Sequence, residues 1–482
     1  MITASHNPEA DNGVKLSDPD GGMLSAEWEG HAVDLANADS EDDAVSLIRK
    51  LFMDFSQTSG PFGSEAGTTP RRMVVHVGRD TRRHSPHLAS LTIRGARSLG
   101  ATVIDHGIVT TPQLHHFVMH SNAHRLPNVV PQRADEDGYL DTICGSYAAL
   151  MRTASSAGEV GGGSLTSSGG GRRTVAVDCA CGVGGTKVPL VMARLRRLRV
   201  PGLANFVPHN LPGDGPLNGG CGAEFVQKGR RIPAVYDRSD GTPVPAGVAY
   251  HASLDGDADR IVFHYSNRGG EFRLLDGDKI ATLVTEFVRE ELEILNEIGL
   301  GSAVRCGVVQ TAYANGSSTS YLRDVVKADI AVARTGVKFV HAIAHDSFDV
   351  GVYFEANGHG TILFGPRFYA MLSDAESVLR GRSGRNDRSN VAWQRLRALP
   401  GLVNQAIGDA LSDLLLVDAV LFIKGWTIED WDGLYQDMPS RQCKVRVRDS
   451  ESNSVVHSSF FICSQKPNLS SSHVSLMILL HI

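Results

Sequence analysis

The segment Leu254-Asp-Gly-Asp-Ala-Asp-Arg260 constrains this chain more than any other, because three aspartates alternate along it between two apolar runs. The runs, Val248–Leu254 and Ile261–Tyr265, have the length and composition of strands. In extended backbone the three carboxylates lie on one face, and they repel one another unless a cation neutralises them. Ligand sets made only of oxygen favour Mg²⁺ or Ca²⁺. The segment therefore predicts a hard-cation site between two strands.

Two other interpretations compete for the same segment. An EF-hand calcium loop needs glycine at its sixth position and glutamate at its twelfth, and this chain has Arg260 and Ser266 there. The EF-hand is therefore excluded. An acidic, solvated turn between two hairpin strands stays open on the sequence alone.

Apolar β-branched runs alternate with amphipathic stretches along the chain, which is typical of an α/β fold. The predicted strands are Met73–Val77, Ala101–Asp105, Thr174–Asp178, Ala303–Val309, Ile330–Ala333, Val350–Glu355 and Lys444–Arg448. The predicted helices are Pro86–Ser98, a long helix capped by Asp276 that runs to about Ile298, and Thr319–Val326. Residues 158–171, rich in Gly and Ser, are predicted to be a linker or insertion, and residues 380–390 an exposed insertion.

Ser5 is a candidate nucleophile, because Thr3-Ala-Ser-His-Asn-Pro8 presents a hydroxyl between polar neighbours in a segment fixed by proline. A serine hydroxyl acts as a nucleophile only when it is activated or already phosphorylated. Taken alone, the segment fits an ordinary N-terminal loop with a capping serine better, because serine and asparagine are common in turns.

The motif Glu355-Ala-Asn-Gly-His-Gly360 follows a predicted strand, and strand ends of α/β sheets are where ligands bind. A carboxylate beside a carboxamide suits a sugar, whose hydroxyls both donate and accept hydrogen bonds. A tight hairpin turn explains the same residues.

Two weaker signals accompany these motifs. Lys338 lies at a predicted helix start, where backbone amides and an ammonium group hold phosphate well, although a solvated lysine fits too. Gly182, Gly184 and Gly185 mimic a dinucleotide-binding loop, but the acidic residue expected downstream is missing, so this interpretation is discounted.

The formal net charge of −6 over 482 residues lacks the basic excess of a nucleic-acid surface. The seven cysteines have no CxxC spacing, which favours a reduced, cytosolic chain. No secretory signal or bilayer-spanning apolar run is evident. We expect a cytosolic protein that binds neither nucleic acid nor membrane, and nothing in the sequence indicates its oligomeric state.

Together the motifs resemble those of the α-D-phosphohexomutase superfamily, in which a serine loop, an Asp-Gly-Asp-Ala-Asp-Arg loop and a sugar loop occur in this order. The Glu-Ala-Asn-Gly-His-Gly form of the sugar loop looks like that of the phosphoacetylglucosamine mutase family. Other stretches that resemble this family are Val77–Arg82, Thr110–His115, Val308–Thr319 and Thr335–Lys338. The resemblance extends from Met1 to about Val447.

The resemblance implies an α/β fold with three similar mixed-sheet domains around a central cleft, plus a fragment of a fourth domain. We expect domain 1 at residues 1–155, domain 2 at 172–300, domain 3 at 301–425 and a partial or altered fourth domain at 430–482. Compared with the family, a segment ahead of the serine loop and a C-terminal phosphate-binding loop of the Arg-x-Ser-Gly-Thr type are expected to be lacking.

The resemblance also assigns roles to individual residues by their position in the motifs. The implied ligands of Mg²⁺ are Asp255, Asp257, Asp259 and a phosphate oxygen on Ser5, the implied phosphoserine. The residues implied to surround the transferring phosphoryl group are His6, Asn7, Lys15, which is a candidate proton carrier, and Arg260. The residues implied to bind the sugar phosphate are Glu355, Asn357, Gly358, His359 and Lys338.

The implied activity interconverts N-acetylglucosamine 6-phosphate and 1-phosphate through a 1,6-bisphosphate, as a step towards UDP-N-acetylglucosamine. It uses one Mg²⁺ per chain, with a hexose 1,6-bisphosphate as activator. Two alternatives stay open: a phosphoglucomutase or phosphomannomutase type of enzyme, and a truncated, non-catalytic isoform that binds sugar phosphates.

Overall fold

The computed structural model describes residues 1–57, 73–126, 129–156, 173–236, 248–380, 387–444 and 475–479. Its helices are α1 Ala26–Ala36, α2 Glu41–Gln57, α3 Ser85–Ser98, α4 Thr111–Ser121, α5 Glu136–Ser156, α6 Gly184–Arg197, α7 Ala223–Gly229, α8 Gly277–Asn296, α9 Gly316–Asp324, α10 Val337–Ser347, α11 Pro366–Arg380, α12 Arg388–Leu402, α13 Ala410–Lys424 and α14 Ile428–Asp432. Its strands are β1 Val74–Arg79, β2 Thr102–Ile108, β3 Thr174–Asp178, β4 Asn205–His209, β5 Val248–Leu254, β6 Ile261–Ser266, β7 Phe272–Leu275, β8 Cys306–Thr311, β9 Asp329–Ala333, β10 Val350–Phe354, β11 Gly360–Phe364, β12 Ser440–Lys444 and β13 Ser475–Leu479.

The first sheet is the parallel pair β1 and β2, joined by the crossover helix α3. Residues at the start of the chain extend it, because Ile2 forms a parallel bridge with Arg79 and an antiparallel bridge with Val14. The side chain of Ile2 is fully buried against Val77 and Ala89. The loop that carries Ser5 thus leaves the sheet beside the carboxyl end of β1.

The second sheet has the strand order β4-β3-β5-β6-β7. Strand β3 is parallel to β4 and β5, whereas β6 and β7 continue as antiparallel neighbours. The turn between β5 and β6 is the aspartate segment predicted above, which we call the metal loop, residues 255–260.

The third sheet repeats this arrangement with the order β11-β10-β8-β9. Strand β8 is parallel to β9 and β10, and β10 pairs with β11 as an antiparallel hairpin. The turn of that hairpin is the Glu-Ala-Asn-Gly-His segment, which we call the sugar loop, residues 355–359. The metal loop and the sugar loop are therefore the same turn of two copies of one topological unit.

Helices α5, α8, α12 and α13 pack together and join the sheets. Helix α13 is buried on nearly its whole circumference, which is expected of a helix that is apolar all round. Its N-terminus points towards the metal and sugar loops, because the amide of Ala410 donates to the carbonyl of Ala258 (3.1 Å).

Most predicted elements are present with boundaries that differ by a few residues. Thr174–Asp178 and the long helix capped by Asp276 are confirmed, since the Asp276 side chain accepts from the amide of Asp278. The boundaries of the exposed insertion predicted at 380–390 are wrong, because α11 ends at Arg380 and α12 begins at Arg388. Residues 381–386, the Gly/Ser stretch at 158–171 and residues 445–448 of the last predicted strand lie outside the described residues.

A fourth sheet is the parallel pair β12 and β13. The four sheets found in the described part of the chain have their strands within the four residue ranges expected for domains, and the domain boundaries themselves stay a prediction. Among the described residues, no helix combines the length and the apolar character needed to cross a bilayer.

Candidate active site

The three aspartates of the metal loop converge on one point. Asp255, Asp257 and Asp259 are buried, and each offers a carboxylate oxygen that lies within 4.8 Å of the oxygens offered by the other two. The prediction that extended backbone places them on one face is wrong, because the loop is a turn in which Ala258 adopts a left-handed conformation (φ 56°). The convergence comes from the curvature of the turn.

Ser5 lies directly beside this cluster. Its hydroxyl donates to Oδ2 of Asp255 (2.8 Å) and lies 3.4 Å from Oδ1 of Asp259. The residue is buried and has a left-handed backbone (φ 50°), a conformation that a non-glycine residue keeps only when its surroundings impose it. The nucleophile predicted at position 5 and the predicted cation site are thus one site, although 250 residues separate them in sequence.

Two side chains, those of Arg82 and Asn218, bind the backbone of the serine loop. Arg82 donates to the carbonyls of Ser5 (3.3 Å) and Asn7 (2.8 Å), and Asn218 donates to the same two carbonyls at 2.9 and 3.1 Å. Arg82 is fully buried and paired with Asp80, which also accepts from Ser85 (2.5 Å). The serine loop is therefore fixed by residues from the ends of two different sheets.

Lys15 brings positive charge to the cluster. Its Nζ contacts Oδ2 of Asp257 (2.8 Å) and Oδ2 of Asp259 (2.7 Å), so one ammonium group joins two of the three carboxylates. Arg260 lies slightly farther away, with Nε 4.0 Å from Asp255 and 3.9 Å from Asp259. Lys15 and Arg260 are the two cationic residues that the resemblance placed around the phosphoryl group.

The pKa values of Asp255 and Asp259 shift in opposite directions, because burial acts to raise both while nearby cations lower that of Asp259. Burial, followed by the charges of Asp259 and Asp257, raises the pKa of Asp255 well above its usual value. Burial also acts to raise the pKa of Asp259, but Lys15, His359 and Arg260 outweigh it and hold that pKa well below the usual value. Three buried carboxylates share two nearby cations, Lys15 and Arg260, and this imbalance favours a further bound cation.

The residues fit a hard divalent cation. Oδ1 of Asp257 is buried and has no hydrogen-bond partner in the described part of the chain, whereas its Oδ2 accepts from Thr111 (2.5 Å) and Lys15. A buried carboxylate oxygen without a partner is costly unless a cation or water binds it. With Asp255, Asp259 and the oxygen on Ser5, it forms a ligand set made only of oxygen, as Mg²⁺ prefers.

The sugar loop turns tightly against the metal loop. Gly358 has a φ of +84°, and a side chain there would lie 1.9 Å from the carbonyl oxygen of Ile261, the first residue after the metal loop. The amide of Ile261 in turn donates to the carbonyl of Gly358 (3.1 Å). Glu355 accepts from the amide of Gly336 (3.1 Å), and the Asn357 amide group lies 3.5 Å from Glu355. Oδ1 of Asn357 accepts from the amide of His359 (2.9 Å), and both side chains are half-buried.

The other predicted site residues have varied surroundings. His359 is buried with Nδ1 3.6 Å from Oδ1 of Asp259, so in this structure it faces the metal loop. Lys338 pairs with Glu29 of α1 (2.6 Å). His6 lies 3.7 Å from Glu224, and burial followed by Arg260 lowers its pKa.

The Asn7 side chain donates to Asp11 (3.2 Å), and only its backbone carbonyl takes part in holding the serine loop. Sequence reasoning assigned no role to Arg82, Thr111 or Asn218, which position the predicted residues. The stretches Val77–Arg82 and Thr110–His115 contained the first two, and the resemblance pointed to those stretches without giving their roles. No signal in the sequence singled out Asn218.

Two family models match this chain. The model described as phosphoacetylglucosamine mutase AMG1, domain III, matches residues 276–426. The model described as phosphoglucomutase/phosphomannomutase, alpha/beta/alpha domain I, matches residues 1–43 and 57–126.

Curated relatives named phosphoacetylglucosamine mutase match along most of the chain. The protein of Arabidopsis thaliana is 42% identical over 455 residues, which cover 93% of this chain and 75% of the relative. The protein of Sus scrofa is 40% identical over 452 residues, which cover 94% of this chain and 74% of the relative.

Solved structures of the same kind of enzyme share the fold. An Aspergillus fumigatus N-acetylphosphoglucosamine mutase matches with a TM-score of 0.76 at 36% identity, over 91% of this chain and 72% of that one. The Aspergillus enzyme in complex with GlcNAc-6P and magnesium matches with a TM-score of 0.74 at 37% identity, over 91% of this chain and 73% of that one. A serine-to-alanine variant in complex with glucose 1,6-bisphosphate matches with a TM-score of 0.76 at 37% identity, over 91% of this chain and 73% of that one.

Proposed function

This chain belongs to the phosphoacetylglucosamine mutase family, and from that premise we propose that it interconverts N-acetylglucosamine 6-phosphate and N-acetylglucosamine 1-phosphate through a phosphorylated Ser5. The observation that carries this proposal is the contact between the Ser5 hydroxyl and Asp255 (2.8 Å) in a cluster of three buried aspartates. A phosphate on that hydroxyl brings further negative charge beside three carboxylates, so it requires a divalent cation. Mg²⁺ bound by Asp255, Asp257, Asp259 and a phosphate oxygen supplies the charge neutralisation that phosphoryl transfer needs.

In the first half of the reaction, phosphorylated Ser5 gives its phosphoryl group to the O1 hydroxyl of N-acetylglucosamine 6-phosphate. The bond between Oγ and phosphorus breaks and a bond from O1 to phosphorus forms, while Lys15, the candidate proton carrier, gives a proton to Oγ and takes up the proton that O1 loses. In the second half the 1,6-bisphosphate is bound in the reverse orientation, and its 6-phosphoryl group returns to Ser5. The 1-phosphate that is released is a precursor of UDP-N-acetylglucosamine.

Lys15 is the candidate for holding the transferred group and for moving the proton. Its ammonium contacts the oxygens of Asp257 and Asp259 that face the cluster. These carboxylates raise the pKa of Lys15 although burial opposes them, so in this state the group is fully protonated. We propose that Lys15 turns from the carboxylates to the phosphate oxygens of Ser5 when Mg²⁺ is bound, because both cations compete for the same ligands.

Glu355 and Asn357 are the proposed ligands of the sugar hydroxyls, since their polar groups lie in the turn that packs against the metal loop. Lys338 is the proposed contact for the substrate phosphate, which requires it to exchange Glu29 for phosphate. A hexose 1,6-bisphosphate is proposed as activator, because it transfers a phosphoryl group to an unphosphorylated Ser5. One Mg²⁺ per chain is proposed, and the single three-carboxylate cluster found among the described residues supports it.

The proposed location is the cytosol, supported by the free thiols of the described cysteines, which are buried and unpaired: Cys144, Cys179, Cys181, Cys221 and Cys306. The partners proposed are sugar phosphates alone. The domain ranges 1–155, 172–300 and 301–425 are proposed on the basis that each contains one sheet.

The Ser5→Ala variant tests the mechanism. We expect it to lose at least about 10³-fold in kcat with N-acetylglucosamine 1-phosphate, Mg²⁺ and a catalytic amount of hexose 1,6-bisphosphate, because no other hydroxyl accepts the phosphoryl group. Thr92→Ala is a matched control, since its hydroxyl donates only to a helix carbonyl of α3 (Leu88, 3.0 Å) and its loss leaves the site intact. Wild-type turnover by the Ser5→Ala variant would show that Ser5 is not the phosphoryl carrier.

The substrate is tested by measuring kcat/KM for N-acetylglucosamine 1-phosphate, glucose 1-phosphate and mannose 1-phosphate on the wild-type chain. We expect the first to be preferred at least tenfold. A preference for either of the other sugars would reassign the chain to the phosphoglucomutase or phosphomannomutase type. Absence of turnover with every sugar would support the non-catalytic alternative.

A further inference from the structure

Three successive carbonyls of the metal loop each accept a hydrogen bond from the start of a different helix. The carbonyl of Gly256 accepts from the amide of Val183, the N-cap of α6 (2.9 Å). The carbonyl of Asp257 accepts from Thr111, the first residue of α4 (3.2 Å). The carbonyl of Ala258 accepts from Ala410, the first residue of α13 (3.1 Å).

Amides in the first turn of a helix have no partner within the helix, so each bond satisfies a donor that otherwise needs water. The three helix starts also bring partial positive charge to a loop with three carboxylates. The loop is thereby held in its left-handed turn at Ala258 by contacts from outside it.

The N-terminus of α13 differs from the other two helix starts because it touches the sugar loop as well. At Gly408 a side chain would lie 2.9 Å from the carbonyl oxygen of Asp259, 3.0 Å from the amide of Gly360 and 3.1 Å from the ring of His359. The backbone of residue 408 therefore lies in close contact with both the end of the metal loop and the end of the sugar loop.

Asp409 holds the backbone beside Gly408 in this position. Its carboxylate caps α13 by accepting from the amides of Leu411 and Ser412 (both 3.2 Å). The buried hydroxyl of Tyr139, on α5, lies 2.9 Å from both oxygens of the same carboxylate. Just ahead of it, Asn404 donates to the carbonyl of Pro112 in α4 (3.1 Å).

We propose that the segment Gly408–Ala410 is a positioning element, which holds the metal loop and the sugar loop in one geometry so that the cation site keeps its shape before any ligand binds. Gly408 positions by its lack of a side chain, and Asp409 positions through its bond with Tyr139. None of the three touches substrate or cation. This inference rests on the proposed cation site, but it does not depend on which sugar the chain converts.

The experiment measures the affinity of the sugar-free protein for Mn²⁺ by electron paramagnetic resonance, because Mn²⁺ uses oxygen ligands like those of Mg²⁺ and needs no turnover for detection. In the Gly408→Ala variant, the new methyl group displaces the Asp259 carbonyl by a few tenths of an ångström or more. Its control is Gly145→Ala in α5, where a methyl group meets nothing within 4 Å.

The second variant is Tyr139→Phe, which keeps the ring and removes the hydroxyl that binds Asp409. Its matched control is Tyr147→Phe, because Tyr147 lies on the same helix, is equally buried and donates to Asp418 on α13 (2.6 Å), which also accepts from Arg173. A merely structural role predicts a similar loss of thermal stability in both tyrosine variants and an unchanged Mn²⁺ affinity.

We expect the dissociation constant for Mn²⁺ to rise at least threefold in Gly408→Ala and in Tyr139→Phe relative to their controls. If Gly408→Ala does not fold, Tyr139→Phe decides alone. A smaller rise in either folded variant overturns the proposal. Because the readout needs no sugar, this result is independent of the Ser5→Ala and substrate experiments, and a failure of either proposal can be told apart from a failure of the other.

Discussion

Single residues in strained or unpaired states mark the site. Ser5 and Ala258 both have left-handed backbones, which cost a residue with a side chain about 1 kcal/mol or more, and both lie within the serine–aspartate cluster. The bonds from Arg82, Asn218 and Ala410 offset this strain. The geometry of Ser5, the proposed nucleophile, is therefore imposed by neighbours far away in sequence.

Asp413 is a buried carboxyl group outside the proposed machinery, and neither of its oxygens has a hydrogen-bond partner among the described residues. Burial, followed by the charge of Asp409, raises its pKa well above the usual value, so it is neutral in the folded protein. As the pH rises above the unfolded pKa of 3.8, the unfolded chain loses this proton while the folded chain keeps it, and stability falls.

Asp413→Asn removes this titration with little change in shape. We expect the difference in melting temperature between the variant and the wild type to be larger at pH 8 than at pH 5, by about 1 °C for each kcal/mol of relative stability gained in a chain of 482 residues. Asp374→Asn, on the exposed face of α11, serves as control. A melting-temperature difference that is equal at both pH values would contradict a neutral Asp413.

At the scale of elements, the second and third sheets each contain a hairpin of the same topology. The turn between β5 and β6 carries the aspartates, and the equivalent turn between β10 and β11 carries Glu355 and Asn357. The two turns contact each other through the backbone of Ile261 and Gly358. Repeating one topological unit thus brings the turn with three carboxylates and the turn proposed to bind sugar hydroxyls to the same place.

Gly358→Ala and Gly270→Ala compare strain with packing. Both glycines have φ near +80°, but a side chain at Gly358 meets the Ile261 carbonyl, whereas Gly270 opens into free space. We expect Gly270→Ala to lower the free energy of unfolding by about 1 kcal/mol, the cost of the left-handed backbone alone. Gly358→Ala should cost about 3 kcal/mol or more, because backbone must move.

The comparison is measured by urea unfolding of both variants, together with KM for N-acetylglucosamine 1-phosphate. Gly358→Ala is expected to raise KM, and Gly270→Ala to leave it unchanged. Equal losses of stability would refute the close contact between the two turns.

At the scale of the whole molecule, several elements hold histidines that are buried or half-buried. They include His116 in α4, His251 in β5 and His341 in α10. Burial lowers their pKa values to about 3, about 4 and about 4 respectively. Each is neutral when folded, so the unfolded chain binds more protons between pH 6.5 and about 4, and the stability present above pH 6.5 is lost as the pH falls.

We therefore expect the free energy of unfolding to drop steeply between pH 6.5 and pH 4.5. His116→Leu should make this drop smaller, by on the order of 1 to 2 kcal/mol at pH 5, while His345→Gln on an exposed helix face should not change it. Denaturant unfolding at pH 7 and pH 5 measures both. An unaltered pH profile for His116→Leu would show that His116 is not held neutral by burial.

The amino-acid sequence by itself determined the types of chemistry available. The aspartate segment, the serine loop and the Glu-Ala-Asn-Gly-His-Gly motif are local patterns, and most of the strands, together with helices α3, α8 and α9, were predicted from local patterns. Lys15 and Arg260 were also predicted, because they belong to the same short motifs. These features depend on neighbours in the chain, which a sequence displays directly.

Only the tertiary structure decided how these motifs meet. Asp255 and Ser5 are 250 residues apart and share a 2.8 Å contact, and the positions of Arg82, Asn218 and Gly408 behind the loops come from elements that no local pattern connects. The aspartates converge through a left-handed turn at Ala258, where an extended strand was expected, because three helix starts hold that turn. Long-range contacts of this kind depend on how helices and sheets pack, which local sequence does not encode.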